Sequence, residues 1–211
     1  MEKASRYYSS NRPEVAELVP ENIKTILDIG CGMGFFLKSI NERTKVETWG
    51  VEMMKELEIQ ATENIDHFIP GKIEDVVSSI PDHYFDCITM NDVLEHLVEP
   101  TEVLKLLKSK LSDTGIMVAS IPNVRYISNL RRLLIQKDWK YCEIGILDST
   151  HLRFFTKKSM KRMFEDAGYD VLYQKGLNKD KSLKTTIFNL MTFYFFDDAR
   201  YVRFANVVKN K

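Results

Sequence analysis

Strand-like and helix-like runs alternate along most of this sequence, and that alternation leaves few architectures open. Residues 25–29 (TILDI), 46–51, 66–69, 84–90 (YFDCITM) and 115–121 (GIMVASI) are apolar, β-branched or aromatic stretches of strand length. Between them, 34–41, 53–64, 73–79 and 100–110 read as helices, the last with Pro100 suited to its first turn. Strands joined by helical crossovers form right-handed units, which build a parallel sheet covered on both faces. After Pro122 the pattern changes. An insertion at 122–150 carries an amphipathic helix at about 124–136. A helix at 156–167 follows, with Thr156 as N-cap and Gly168 at the C′ stop. Residues 169–175 read as a sixth strand, 183–195 as a further helix and 201–208 as the final strand. No repeat, low-complexity tract or linker interrupts the chain, so 1–211 reads as one domain.

Composition narrows the functional classes. Lys+Arg and Asp+Glu both number 30, so the chain lacks the basic surplus usual for a protein that binds a phosphate backbone. Nucleic acid is therefore not the expected partner. Cys31, Cys87 and Cys142 fit no zinc framework and leave no complete disulfide set, which points to a reducing, cytoplasmic setting. The first ten residues, MEKASRYYSS, lack the apolar core of a secretory signal. No transmembrane segment is expected: the longest apolar run, 187–196, is too short to span a bilayer and contains Asn189 and Thr192.

The turn after the first strand carries the clearest chemistry. Leu27-Asp28-Ile29-Gly30-Cys31-Gly32-Met33-Gly34 ends a strand and opens a helix. Glycines let the backbone turn sharply and approach a ligand, and the helix start offers free N–H groups. In an open parallel sheet, ligands bind beyond the carboxyl ends of the strands. The spacing is G-x-G-x-G, and Phe35 stands where a dinucleotide fingerprint needs its third glycine, which disfavours a dehydrogenase. Asp28 beside the loop would repel a pyrophosphate and suits a cationic ligand instead.

Asp28-x-Gly30-x-Gly32-x-Gly34 resembles the first motif of class I S-adenosylmethionine-dependent methyltransferases. Glu52, about 20 residues past the loop, matches that family's second acidic position, where a carboxylate accepts ribose hydroxyls. Gly71-Lys72-Ile73-Glu74-Asp75 aligns with the segment beside adenine, although Lys72 stands where the family commonly has an acid. The resemblance covers about residues 20–175. It implies a Rossmann-like fold: a mostly parallel seven-stranded sheet, helices on both faces and an antiparallel C-terminal strand. It also implies a cofactor site built from Asp28, Gly30, Cys31, Gly32, Gly34, Glu52, Met53, Ile73, Glu74, Asp75 and Asn91.

A second constellation lies in Asn91-Asp92-Val93-Leu94-Glu95-His96-Leu97, after the fourth strand. One reading is structural: Asp92 as an N-cap with Glu95 as its partner three residues on. Another is chemical. On an α-helical turn Asp92, Glu95 and His96 share a face and, with His151, could hold a divalent ion such as Mg²⁺. A third makes His96 or His151 a metal-free general base. The run resembles the E-x-x-E-H segment of ubiquinone-pathway O-methyltransferases and the metal set of small-RNA 2′-O-methyltransferases, with Asp92 shortening the first position. The resemblance implies S-adenosylmethionine as methyl donor and Asp92, Glu95, His96 and His151 as catalytic residues.

Three further expectations concern the acceptor. Insertions after the fifth strand sit above the active site in this family, so 122–155 is expected to form a substrate lid. Its Arg125, Arg131, Arg132, Lys137 and Lys140 either form a solvated face or recognise an anionic small-molecule acceptor. Tyr7, Tyr8 and Arg12 are candidates to fold over the cofactor. The aromatic run 183–196 is expected to pack into the core, with a homodimer face or an apolar-acceptor pocket as the alternative. The leading function is O-methylation of a small molecule or a glycan or lipid precursor. RNA methylation and a non-catalytic cofactor-binding module are the alternatives.

Overall fold

The computed structural model describes residues 11–211. Tyr7 and Tyr8 lie outside them. Seven strands form one sheet: β1 (Thr25–Ile29), β2 (Glu47–Glu52), β3 (His67–Pro70), β4 (Phe85–Asn91), β5 (Leu111–Pro122), β6 (Tyr169–Lys179) and β7 (Tyr201–Asn210). Their spatial order is β3-β2-β1-β4-β5-β7-β6. The chain builds outward from β1 to β3, returns to β4 on the other side of β1, and reverses direction only in β7. This is the expected Rossmann-like sheet. The antiparallel strand inserts between β5 and β6.

Helices cover both faces. They are α1 (Pro13–Ala16), α2 (Phe35–Thr44), α3 (Glu58–Thr62), α4 (Ile73–Val76), α5 (Pro100–Leu107), α6 (Ile127–Arg131), α7 (Lys157–Asp166) and α8 (Leu183–Met191). Alternation along the strands sorts the core into two layers. Leu27, Ile88 and Met117 pack with Leu104 of α5 and Phe164 of α7. Ile26, Cys87 and Val118 pack with Phe36, Leu37 and Ile40 of α2. Tyr169 is fully buried, and its hydroxyl donates to the Leu104 carbonyl at 2.8 Å, so the large ring costs no unsatisfied polar atom. Thr156 caps α7 in a capping box with Ser159, and Gly168 ends that helix at φ +85°.

Two expectations fail. The helix expected at 124–136 is α-helical only over Ile127–Arg131 and continues as a π-turn through Gln136. Residues 123–126 are instead drawn back toward the sheet. The Val124 N–H donates to the Phe155 carbonyl, and the Asn123 amide donates to the Asp198 and Tyr201 carbonyls.

The aromatic run 183–196 does not enter the core. Leu183, Ile187, Leu190, Met191, Phe193 and Phe195 are exposed, whereas Thr185 and Asn189 are buried. The polar residues hold α8 to the body by hydrogen bonds: Thr185 to Asp180, Arg200 to Thr186 and Asn189 to Asp197. Once that face is inward, helical periodicity turns the apolar face outward.

Gly50, central in β2, tests the packing of the α2 layer. A Cβ there would meet the Cys31 Sγ at 2.5 Å and the Ile65 Cδ1 at 2.7 Å. Overpacking of this kind costs about 1–3 kcal/mol. Gly50→Ala should lower unfolding free energy by about that amount in urea titration, through a lower midpoint at unchanged slope.

Candidate active site

The reversal of strand order falls between β1 and β4, where crossovers leave to opposite sides and open a crevice at the carboxyl edge. The loop 30–34 lies there. Gly30, Gly32 and Gly34 have φ of +75°, +54° and +78°, a region that costs glycine little. A Cβ on Gly30 would come within 2.7 Å of Val93 Cγ2, so the first glycine is also needed for the approach of the β4 edge.

Asp28 sits one residue from the end of β1, paired in register with Thr89 of β4. It is almost wholly buried, and the Thr89 hydroxyl donates to its Oδ1 at 2.6 Å. Loss of hydration dominates, and the carboxyl is pushed up to about 7, with the Thr89 bond opposing the rise and the Glu52 charge adding to it. Glu52 ends β2, where its Oε2 accepts the Gly32 N–H and its Oε1 the Met54 N–H, both at 3.0 Å. The second acid thus braces the glycine loop, and each oxygen keeps a further lone pair for a hydroxyl. Cys31 is buried behind the loop, and its thiol is pushed well up by burial and the two nearby acids. Met53 is exposed at the rim, Ile73 is buried at the start of α4, and the Glu74 and Asp75 side chains face outward. Asn91 ends β4, and its Nδ2 is buried with no hydrogen-bond partner among the described residues.

The segment after β4 corrects the sequence reading. No α-helical turn forms at 92–96. Asp92 has φ +55°, and only a three-residue 3₁₀ turn, Leu94–His96, follows. The capping box is absent, and the i, i+3, i+4 face that would unite Asp92 with Glu95 and His96 does not exist. Asp92 belongs to a different constellation. Its carboxylate takes Arg12 at 2.7 Å and the Arg203 Nε at 2.9 Å and 3.1 Å. Burial would raise its pKa, but the two guanidinium groups prevail and hold it below the ordinary carboxylate range. Arg12, expected near the cofactor, thus reaches the carboxyl edge through Asp92.

Glu95, His96 and His151 do come together, with one potential ligand atom from each lying within 4.8 Å of the others. Glu95 is buried, and neither carboxylate oxygen has a hydrogen-bond partner among the described residues. Desolvation and the Asp92 charge push its pKa well up. The His151 Nε2 lies 3.9 Å from the Glu95 Oε1, and the two imidazole rings meet edge-on at 4.7 Å. His151 Nδ1 contacts the Ile146 carbonyl at 3.0 Å, and His96 Nδ1 contacts the Thr150 carbonyl at 3.2 Å. A carbonyl only accepts, so each Nδ1 carries a proton, and in the neutral rings each Nε2 keeps a lone pair. Burial lowers the His151 pKa and favours that neutral form. The Glu95 carbonyl accepts the Leu152 and Arg153 N–H groups, which fastens the returning 150–155 segment over the 3₁₀ turn.

A family model described as a methyltransferase domain matches residues 2–174. The chain belongs to the class I S-adenosylmethionine-dependent methyltransferases. The methyltransferase is similar in fold to a SAM-dependent methyltransferase from Archaeoglobus fulgidus, with a TM-score of 0.71, 19% identity and 95% of each chain covered. It is also similar to one from Mesorhizobium loti, with a TM-score of 0.66, 15% identity, and 94% of this chain and 96% of the other covered. Among curated proteins, it is 26% identical over 163 residues to the ubiquinone biosynthesis O-methyltransferase of Neisseria meningitidis, covering 73% of this chain and 67% of the relative. It is 30% identical over 155 residues to the malonyl-[acyl-carrier protein] O-methyltransferase of Halalkalibacterium halodurans, covering 67% and 54% respectively.

The crevice of the methyltransferase suits its cofactor on physical grounds. A tight glycine loop adjoins a desolvated carboxyl that a sulfonium or ammonium group would hold ionised. Thr89 was missed in the sequence; a hydroxyl residue within the apolar run YFDCITM was the available signal. The clamp of Asp92 by Arg203 left no local signal, since 111 residues separate the partners.

The contrasting carboxyls can be tested separately. Folding raises the Asp28 pKa from 3.8 to about 7, so its ionisation costs native stability as pH rises through that window. Each tenfold drop in acidity corresponds to about 1.4 kcal/mol. Asp28→Asn keeps an oxygen for Thr89 and removes this cost. The variant should melt above the native protein at pH values above about 7, converge with it toward about pH 4, and lose the thermal shift given by S-adenosylmethionine. Asp92→Ala takes the carboxylate from two partly buried arginines and should cost about 3 kcal/mol in chemical denaturation, the lower end for a broken buried pair.

Proposed function

We propose that this methyltransferase acts on an oxygen of a small molecule or of a glycan or lipid precursor, with Glu95, His96 and His151 as its chemical centre. One observation carries the reading: a buried carboxylate whose oxygens have no hydrogen-bond partner among the described residues lies beside two imidazoles whose Nδ1 atoms are tethered to carbonyls. That donor set also fits a divalent ion, because two neutral imidazoles and one carboxylate form a three-ligand face. The two relatives above are named as O-methyltransferases, which favours oxygen as the acceptor atom.

The cofactor, when bound, supplies an electrophilic methyl group. A divalent ion, when bound, would supply positive charge that stabilises an ionised acceptor oxygen. The protein's own part is to orient, desolvate and move a proton. Asp28 and the glycine loop hold the donor at the β1 edge, and Glu52 keeps that loop in shape. The Nε2 atoms of His96 and His151 are free to accept the acceptor's proton, since both Nδ1 positions are already committed. Glu95 would stabilise an imidazolium formed beside it. The insertion supplies the acceptor's surroundings. Trp139 and Tyr141 pack on Phe154, which packs on His151. A cavity of about 370 Å³ lined by Arg132, Gln136, Asp138, Lys140, Tyr141 and Cys142 adjoins them and suits an acceptor with an anionic group.

His151→Ala and His96→Ala should each lower turnover by about 10²–10⁴-fold while S-adenosylmethionine still binds, as titration calorimetry would report. Calorimetry with Mn²⁺ or Zn²⁺ tests the ion: the native protein should bind it, and Glu95→Gln, which removes the charged ligand, should bind it at least about tenfold more weakly. Full turnover by the histidine variants would overturn the proposed centre. Undiminished activity after exhaustive chelation would leave the histidines and remove the ion.

A further inference from the structure

Helix α8 is inverted with respect to the rule for soluble proteins. Its buried positions are Thr185 and Asn189, and its outward positions are Leu183, Ile187, Leu190 and Met191. The turn that follows extends the outward face. Phe193 is 92% exposed and Phe195 74%. Phe193 and Tyr194 have φ of +49° and +62°, a backbone region that bulky residues rarely adopt. Hydrogen bonds lock the polar side of this element to the body through Asp180, Asp197 and Arg200. The apolar face is therefore fixed outward. A contiguous patch of this kind marks a binding surface.

We infer that this face docks onto an anionic lipid bilayer surface. Charge separates this occupant from a second copy of the chain. Lys181 and Lys184 flank the apolar residues and are exposed. The nearby acids face arginines of the same body: Asp198 pairs with Arg125, Asp197 with Arg200, and the Arg200 charge also acts on Asp180. An isologous dimer through this patch would bring in a second set of lysines and the same engaged carboxylates. Lipid phosphates supply the missing negative charge, while exposed Phe and Leu enter the headgroup–acyl boundary. No helix among the described residues is long and apolar enough to cross a membrane, so attachment is to the surface. The inference does not depend on the identity of the methyl acceptor.

The test is co-sedimentation of the full chain with vesicles of phosphatidylcholine alone or mixed with phosphatidylglycerol. The native protein should pellet with the mixed vesicles, and added salt should weaken that binding. The Leu190→Ser/Phe193→Ser/Phe195→Ser variant alters only exposed side chains and should bind at least about tenfold more weakly. Lys181→Glu/Lys184→Glu should lose the preference for phosphatidylglycerol. An unchanged S-adenosylmethionine thermal shift in both variants shows that the fold is intact. The inference fails if the native protein ignores both vesicles or binds them equally. It also fails if the serine variant binds as well as the native protein. A solution dimer that the serine substitutions dissociate would assign the face to a second copy instead.

Discussion

Everything at the active edge depends on the reversal of strand order between β1 and β4. A parallel sheet buries both faces and most of its polar backbone, so a ligand can enter only where neighbouring crossovers part. Here that gap lies between Ile29 and Met90, which pair in register. The loop 30–34 enters it from one side and the segment 91–96 from the other. Gly30 against Val93 shows how closely the two edges approach.

Three of the buried carboxyl groups in this crevice stand in three different states. Asp28 is desolvated with one hydroxyl donor, so its proton is held near neutrality. Asp92 is as buried but faces two guanidinium groups and stays ionised. Glu95 lacks both kinds of partner among the described residues, and it is pushed upward. Depth is common to all three, so the neighbours decide the charge. A cationic ligand suits the first, the second is occupied by its own protein, and the third can take up new positive charge.

Much of the sheet was legible because apolar, β-branched runs of strand length and glycine-punctuated turns are local signals. Thr156 and Gly168 were legible for the same reason, since caps depend on a few adjacent residues. The Asp92 assignment was not. It assumed an α-helical turn, and the left-handed backbone at Asp92 removed the shared face. Helix α8 misled in another way. An apolar run shows that a segment can pack, but orientation was settled by Asp180, Asp197 and Arg200, which hydrogen-bond its polar residues. His151 was recognisable as a candidate, yet its pairing with Glu95 required the 150–155 segment to fold back onto the Glu95 carbonyl.

Residue order alone was enough for the alternating architecture, the glycine loop and the two acids near the ends of β1 and β2. Those features are set by neighbours along the chain, where backbone sterics and periodicity act. Which acid stays with arginine, which lies beside the imidazoles and which side of α8 faces out were fixed only by folding in three dimensions. Such outcomes arise from contacts between distant parts of the chain, as for Glu95 with His151 and for Asp92 with Arg203, 111 residues apart, where no local preference operates.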